Sequence, residues 1–164
     1  MTKPLSAGVD VPADVETVWA VLTSAAWPLA LDAALRDGSR LVSAEPAPGG
    51  GLVVVTSRAL PDGVPGFLRS FMPADGRVTQ TDRWEPAQDG VRRGRWDVTF
   101  PGSPGVIGGD TTVTPTGTGS HWVVSGTVQI KIPLVGGKTE GFLAPLLERL
   151  VARQGEVLRG QVGR

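Results

Sequence analysis

The chain has 164 residues, 16 of them Lys or Arg and 16 Asp or Glu, so its formal net charge at pH 7 is zero. That balance argues against a general nucleic-acid or polyanion binder, which carries a basic excess. Cysteine is absent, which removes thiol nucleophiles, thiolate metal sites and disulfide frameworks together.

The first element is a strand. Leu5, Ala7, Val9 and Val11 alternate with polar or small residues, the period-two pattern of a half-buried strand. Pro12 ends it and Asp14 is placed to cap a helix. Val15, Val18, Trp19 and Leu22 then recur at helical spacing as one apolar stripe. A second short helix is expected near Trp27, with Pro28 in its first turn, where a missing N–H costs little. Leu31, Ala34 and Leu35 form its expected buried side, and Asp37-Gly38 its end.

Six strand-like runs follow: Ser39 to Glu45, Leu52 to Leu60, Arg77 to Glu85, Val91 to Phe100, Gly108 to Thr114 and His121 to Ile132. Gly/Pro/Asp clusters separate them, which predicts an antiparallel meander. The last run is the clearest, with Trp122, Val124, Gly126, Val128, Ile130 and Ile132 on one face. A final helix carries Leu143, Leu147, Leu150, Gln154, Val157 and Leu158 on one side. Pro145 would break a bond inside it, so regular helix is expected from Gly141 or Phe142. No linker divides the chain, and its length predicts one domain over residues 1–164. A domain of that size buries roughly 70% of the surface its unfolded chain exposes. No apolar run approaches the roughly 18 residues of a membrane span, and Asp10 interrupts any signal-like segment. The expected location is cytoplasmic.

Few motifs suggest chemistry. Gly136-Gly137-Lys138-Thr139 imitates the tail of a P-loop, but the first glycine of that motif is replaced by Ile132. The expected role is a corner where the last strand turns into the helix, with Thr139 helping to cap it. The one histidine, His121, has no partner ligands for a metal, and no serine sits in a G-x-S-x-G elbow. Neither metal nor cofactor is expected. Arg92, Arg93 and Arg95 read as a solvated strand edge. Asp97 is expected to face outward. Asp82 shares parity with Val78 and Trp84. If that is the inner face, it is a carboxylate inside an apolar cavity, either paired with an arginine or functional.

The segments "VDVPADVETVWAVLTSAAWP" and "VQIKIPLVGGKTEGFLAPLLERL" resemble the two ends of START-like (SRPBCC) proteins. The second, with "DRWEP", "DGVRRGRWDV" and "PGSPG" between, resembles a mostly actinobacterial family of unknown function in that superfamily. The resemblance implies an α+β helix-grip fold, in the order β-α-α-β6-α, whose curved antiparallel sheet wraps the C-terminal helix around a cavity. It implies hydrophobic ligands such as lipids, sterols or polyketides, and brings no catalytic residues. In such a fold the ligand-lining residues would be Leu31, Trp84, Trp96, Val98, Phe100, Trp122, Val124, Leu143 and Leu147, with Phe67, Phe71 and Met72 closing the entrance. Three functions are then open: a hydrophobic-ligand carrier, a cyclase/aromatase-type enzyme, and a ligand-free interaction domain. A cavity on the order of 300 to 1,000 Å³ would disfavour the third. Two or more polar side chains converging inside it would favour the second over the first.

Overall fold

The structure, a computed structural model, describes residues 2–59, 75–99, 105–131 and 136–163. The elements run β1 (Thr2–Val11), α1 (Val15–Leu22), α2 (Ala26–Leu35), β2 (Arg40–Pro46), β3 (Leu52–Ala59), β4 (Arg77–Trp84), β5 (Arg92–Thr99), β6 (Gly105–Thr116), β7 (Gly119–Ile130) and α3 (Gly136–Val162). The seven strands make one antiparallel sheet in the order β1-β7-β6-β5-β4-β3-β2. Strands β2 to β7 are a meander, and β1 returns beside the last strand. The turn between β4 and β5 shows how sequence sets the register. Asp89 and Gly90 both take positive φ, 56° and 75°, the Asp-Gly geometry that matches the twist of a tight hairpin.

Period-two alternation gives the sheet an apolar inner face, and α3 lies across it. Val113, Val128, Val18 and Leu158 are fully buried in the resulting core. Asp14 caps α1 as expected, accepting the Thr17 N–H at 2.7 Å.

Three local expectations need correction. Helix α3 begins at Gly136, not near Phe142, and carries Pro145 within it. The lost bond and ring clash cost about 3 kcal/mol or more in isolation, but tertiary anchoring overrides that here. Thr139 and Glu140 are buried, and the Glu140 carboxylate accepts the Ile130 N–H at 2.8 Å, tying the helix to the end of β7. Gly136 approaches the Ile130 carbonyl so closely that a Cβ would collide with it. Thr139 therefore lies inside the first turns of the helix. In α2, Trp27, Pro28 and Leu31 are buried while Ala34 is exposed, because the helix leaves the core in its last turn. That helix ends at Arg36, in the left-handed region with φ 54°, one residue before Asp37-Gly38.

Among the described residues no single helix is long and apolar enough to cross a membrane.

Candidate functional site

Strands β3 and β4 pair so that Val54 faces Asp82, Thr56 faces Gln80 and Arg58 faces Val78. Asp82 in turn faces Trp96 on β5. Alternation therefore puts Val54, Thr56, Arg58, Gln80, Asp82, Trp84 and Trp96 on the inner face. Under α3 this face leaves a cavity of about 70 Å³. Leu5, Leu22, Trp27, Pro28, Leu31, Ser39, Thr111, Trp122, Val124, Leu147, Leu150, Val151 and Gln154 complete the wall. A water needs about 10–15 Å³ by this measure, so the void has room for roughly five.

One end is built of indoles. Trp96 gives its ring N–H to the Ser125 carbonyl at 3.0 Å, reaching across β6 to β7. It can do so because its neighbours in register are Gly109 and then Gly126, which leave no side chain in the way. Trp122 gives its ring N–H to the Thr111 hydroxyl at 3.1 Å and meets Trp27 edge-on, with centroids 6.4 Å apart. Such pairs add to the burial of both rings.

The other end is polar. Arg58 is 8% exposed and donates to the Gln80 carboxamide oxygen at 2.7 Å. The Gln80 amide donates to both Asp82 oxygens, at 3.1 and 3.2 Å. The amide is thus oriented by its neighbours, oxygen toward the cation and nitrogen toward the anion. Among the described residues Arg58 and Asp82 make no direct ion pair; Gln80 stands between them. Burial pushes the Asp82 carboxyl up to about 6, against the opposing pull of the Gln80 hydrogen bonds and the Arg58 charge, while Asp97 adds to the rise. Burial lowers the Arg58 guanidinium, and Asp82 and Asp37 oppose this. Asp82 touches the void, so solvent reaches it, yet protein surrounds it on nearly every other side. A carboxyl tuned close to neutral pH can both take and give a proton under ordinary conditions.

Of the ligand-lining residues expected from the sequence, Leu31, Trp84, Trp96, Trp122, Val124 and Leu147 are brought together around this void. Val98 and Leu143 are buried in the core but lie outside the lining. Phe67, Phe71, Met72 and Phe100 fall outside the described residues. Sequence reasoning missed Arg58, Gln80 and Trp27. The parity of Arg58 with Val54 was the available signal, but Val53, Val54 and Val55 are all apolar and blur the alternation.

The remaining motifs are structural. His121 takes part in a 2.8 Å contact between Nδ1 and the Asp10 carboxylate at the sheet edge. The arginine run disperses. Arg92 pairs with Glu16 at 2.6 Å and covers the Trp19 ring at 3.7 Å, while Arg95 pairs with Asp110 at 3.1 Å. Among the described residues no group of three His, Asp or Glu is placed to hold a metal ion.

A family profile described as "Protein of unknown function (DUF2505)" matches residues 6–161. No curated protein matches the chain. Among solved structures, TTHA0849 from Thermus thermophilus is similar at 17% identity and a TM-score of 0.60, over 99% of this chain and 97% of that one. Truncated norcoclaurine synthase from Thalictrum flavum is similar at 17% identity and a TM-score of 0.59, over 99% and 94%. That synthase is also known in complex with dopamine and hydroxybenzaldehyde. The di-domain ARO/CYC StfQ of the steffimycin biosynthetic pathway is similar at 16% identity and a TM-score of 0.64, over 98% of this chain and 50% of that one. At such identities the likeness establishes the fold alone: a helix-grip fold, with the seven-stranded sheet curved around α3.

Proposed function

The chain belongs to the DUF2505 family, and from that premise we propose that it holds a small, mostly apolar molecule between its sheet and α3. The supporting observation is the cavity itself, walled by Trp27, Trp84, Trp96 and Trp122 and by Leu147 and Leu150. Burial of apolar surface supplies the affinity, at roughly 25 cal/mol per Å² before the entropic costs of association. The volume of about 70 Å³ is well below the several hundred expected of a sterol or lipid site. A cavity that takes benzene measures about 150 Å³, so even a compact, single-ring molecule needs the lining to give way, and anything longer needs it to open further. The synthase that shares this fold takes dopamine and hydroxybenzaldehyde, which are ligands of that compact kind.

A second reading, an enzyme of the cyclase type, is favoured by one specific observation. Arg58, Gln80 and Asp82 converge on the cavity, and a plain apolar carrier has no use for a buried proton-exchanging carboxyl. In this reading Asp82 moves a proton to or from a bound molecule that the indoles orient. The cavity, at about 70 Å³, is smaller than the size that would count against an interaction domain, but that reading leaves the cluster without a purpose.

Titration with toluene and indole tests the first reading. Calorimetry should show saturable binding to the wild type. Leu150→Trp should fill the void and abolish binding with little change in melting temperature, because Leu150 is only half-buried. If the folded wild type takes up neither compound, the pocket reading fails.

A further inference from the structure

Arg58 lines the cavity and is 8% exposed. A guanidinium carries five N–H donors. Among the described residues this one has a single hydrogen-bond acceptor, the Gln80 oxygen at 2.7 Å. A purely structural arginine inside a protein is normally met by a carboxylate fork-to-fork. Here Asp82 is close by but turned to the other end of Gln80. The guanidinium thus has donors to spare, and they open on the void rather than being sealed against protein.

We propose that the polar end of the cavity is a subsite for one anionic oxygen, a carboxylate or an enolate, carried by an otherwise apolar ligand: Arg58 takes the oxygen, and Asp82 takes up a proton as the ligand enters. The proposal rests on the pocket reading above and names the class of molecule that pocket admits. One guanidinium matches one negative charge, which disfavours phosphate monoesters, whose charge at neutral pH is close to two. The Gln80 carboxamide bridges Arg58 and Asp82 and so couples the ligand to the carboxyl. The proton comes from solvent: one O–H bond forms on Asp82, one bond to hydrogen breaks in hydronium or a buffer acid, and no bond of the ligand changes. A second anion in a site of low dielectric disfavours the charged carboxylate, which already sits near neutrality for the reasons given. The ionisable groups whose charges act on Asp82 are Arg58 from β3, on the same face, and Asp97 from the outer face of β5. Asp37, between α2 and β2, faces Arg58. The α2 and α3 residues of the lining, Trp27, Pro28, Leu31, Leu147, Leu150, Val151 and Gln154, carry no ionisable group.

Calorimetry with phenylacetate and its neutral isostere phenylacetamide, in buffers of differing ionisation enthalpy from pH 6 to 8.5, tests this. Wild type should prefer the acid at pH 6 by about tenfold or more, as a charge-assisted hydrogen bond implies. It should take up a proton on binding the acid near pH 7, and lose acid affinity by up to about tenfold per pH unit above neutrality. Arg58→Met should erase the preference, weakening phenylacetate by about tenfold more than phenylacetamide. Asp82→Asn should keep the preference and lose both the proton uptake and the pH dependence, a result that stands even if Arg58→Met does not fold. Equal binding of acid and amide by wild type would overturn the proposal and leave the pocket reading intact, as would a preference that survives Arg58→Met. An affinity for phenylacetate that stays flat across the pH range has the same force. If wild type binds neither compound but takes up toluene, the subsite alone fails; if it takes up none of them, both readings fail.

Discussion

At the indole end of the cavity the ring N–H groups of the two sheet tryptophans are met by the protein, Trp96 by the Ser125 carbonyl and Trp122 by the Thr111 hydroxyl. One strand from Trp96, burial raises the Asp82 carboxyl to about 6, and one strand further on Arg58 has a single hydrogen-bond partner among the described residues. Both ends sit on the same inner face and under the same helix. They differ in what folding gains from them. Indoles with satisfied donors contribute apolar burial without an uncompensated polar group, so they hold the fold together. A buried arginine and a buried carboxyl that do not touch cost desolvation that their mutual attraction only partly offsets. Where a protein keeps such a cost, the gain lies outside folding, and stability and function should respond in opposite directions to mutation.

The largest test of that contrast is Trp122→Ala. It removes a buried ring, its contact with Trp27 and its bond to Thr111, and should cost about 3–5 kcal/mol. Urea unfolding measures it. A loss below about 1 kcal/mol, the scale of an ordinary surface change, would mean the indole end does not carry the fold.

Asp82→Asn should act in the reverse direction. The folded carboxyl sits at about 6, above its ordinary 3.8. Between those values the folded state binds the extra proton, so the favourable contribution is fully present below pH 3.8 and is lost as pH rises through 6. The neutral amide imitates the protonated acid. The substitution should therefore leave stability unchanged near pH 4 and raise it by up to about 3 kcal/mol at pH 8, two pKa units being worth close to that. Chemical denaturation at both pH values checks the sign. A variant less stable than wild type at pH 8 would show that Asp82 is held for structural reasons.

Thr111→Val tests the indole end more gently. The shape is kept, but the Trp122 N–H loses its acceptor in a place where Thr111 is 3% exposed. An unmet buried donor costs about 1–3 kcal/mol, and thermal melts should show it. No measurable change would place a water or another acceptor at that N–H.

The two ends also differ in how legible they were. The indole end lies on β5 and β7, where strict alternation names the inward residues one strand at a time. Trp96 and Trp122 follow from that parity alone. The polar end depends on a diagonal contact between strands, Arg58 on β3 to Gln80 on β4, and no single strand's pattern contains its register. Asp82 was visible as a conditional case, since its parity with Val78 and Trp84 was plain but the direction of that face was not. The helix start failed for a related reason. Pro145 signals a local cost, while the anchoring of Glu140 to the β7 backbone is tertiary and overrides it. Strand punctuation by Gly, Pro and Asp, by contrast, is local chemistry, and the seven-strand order of elements was readable from it.

The smallest expected effect joins the cavity to the outer surface. Asp97 lies on the opposite face of β5 and pairs with Arg83 at 2.6 Å, their side chains 36% and 58% exposed. An exposed pair of this kind contributes about 0–1 kcal/mol, so Asp97→Asn should barely move the melting temperature. It should still be felt inside. The Asp97 charge helps to raise the Asp82 carboxyl, and removing it also leaves the Arg83 charge unopposed. Both changes favour the ionised form of Asp82. Its titration, followed by the carboxyl carbon shift in a protein labelled at aspartate, should therefore move downward from about 6 while the fold and the Arg58–Gln80 contact stay as they are. An upward shift would mean that Asp97 reaches Asp82 through the position of Arg83 rather than through its own charge. An unmoved titration would mean that the sheet screens its two faces from each other, leaving burial, Gln80 and Arg58 to tune the site among the described residues.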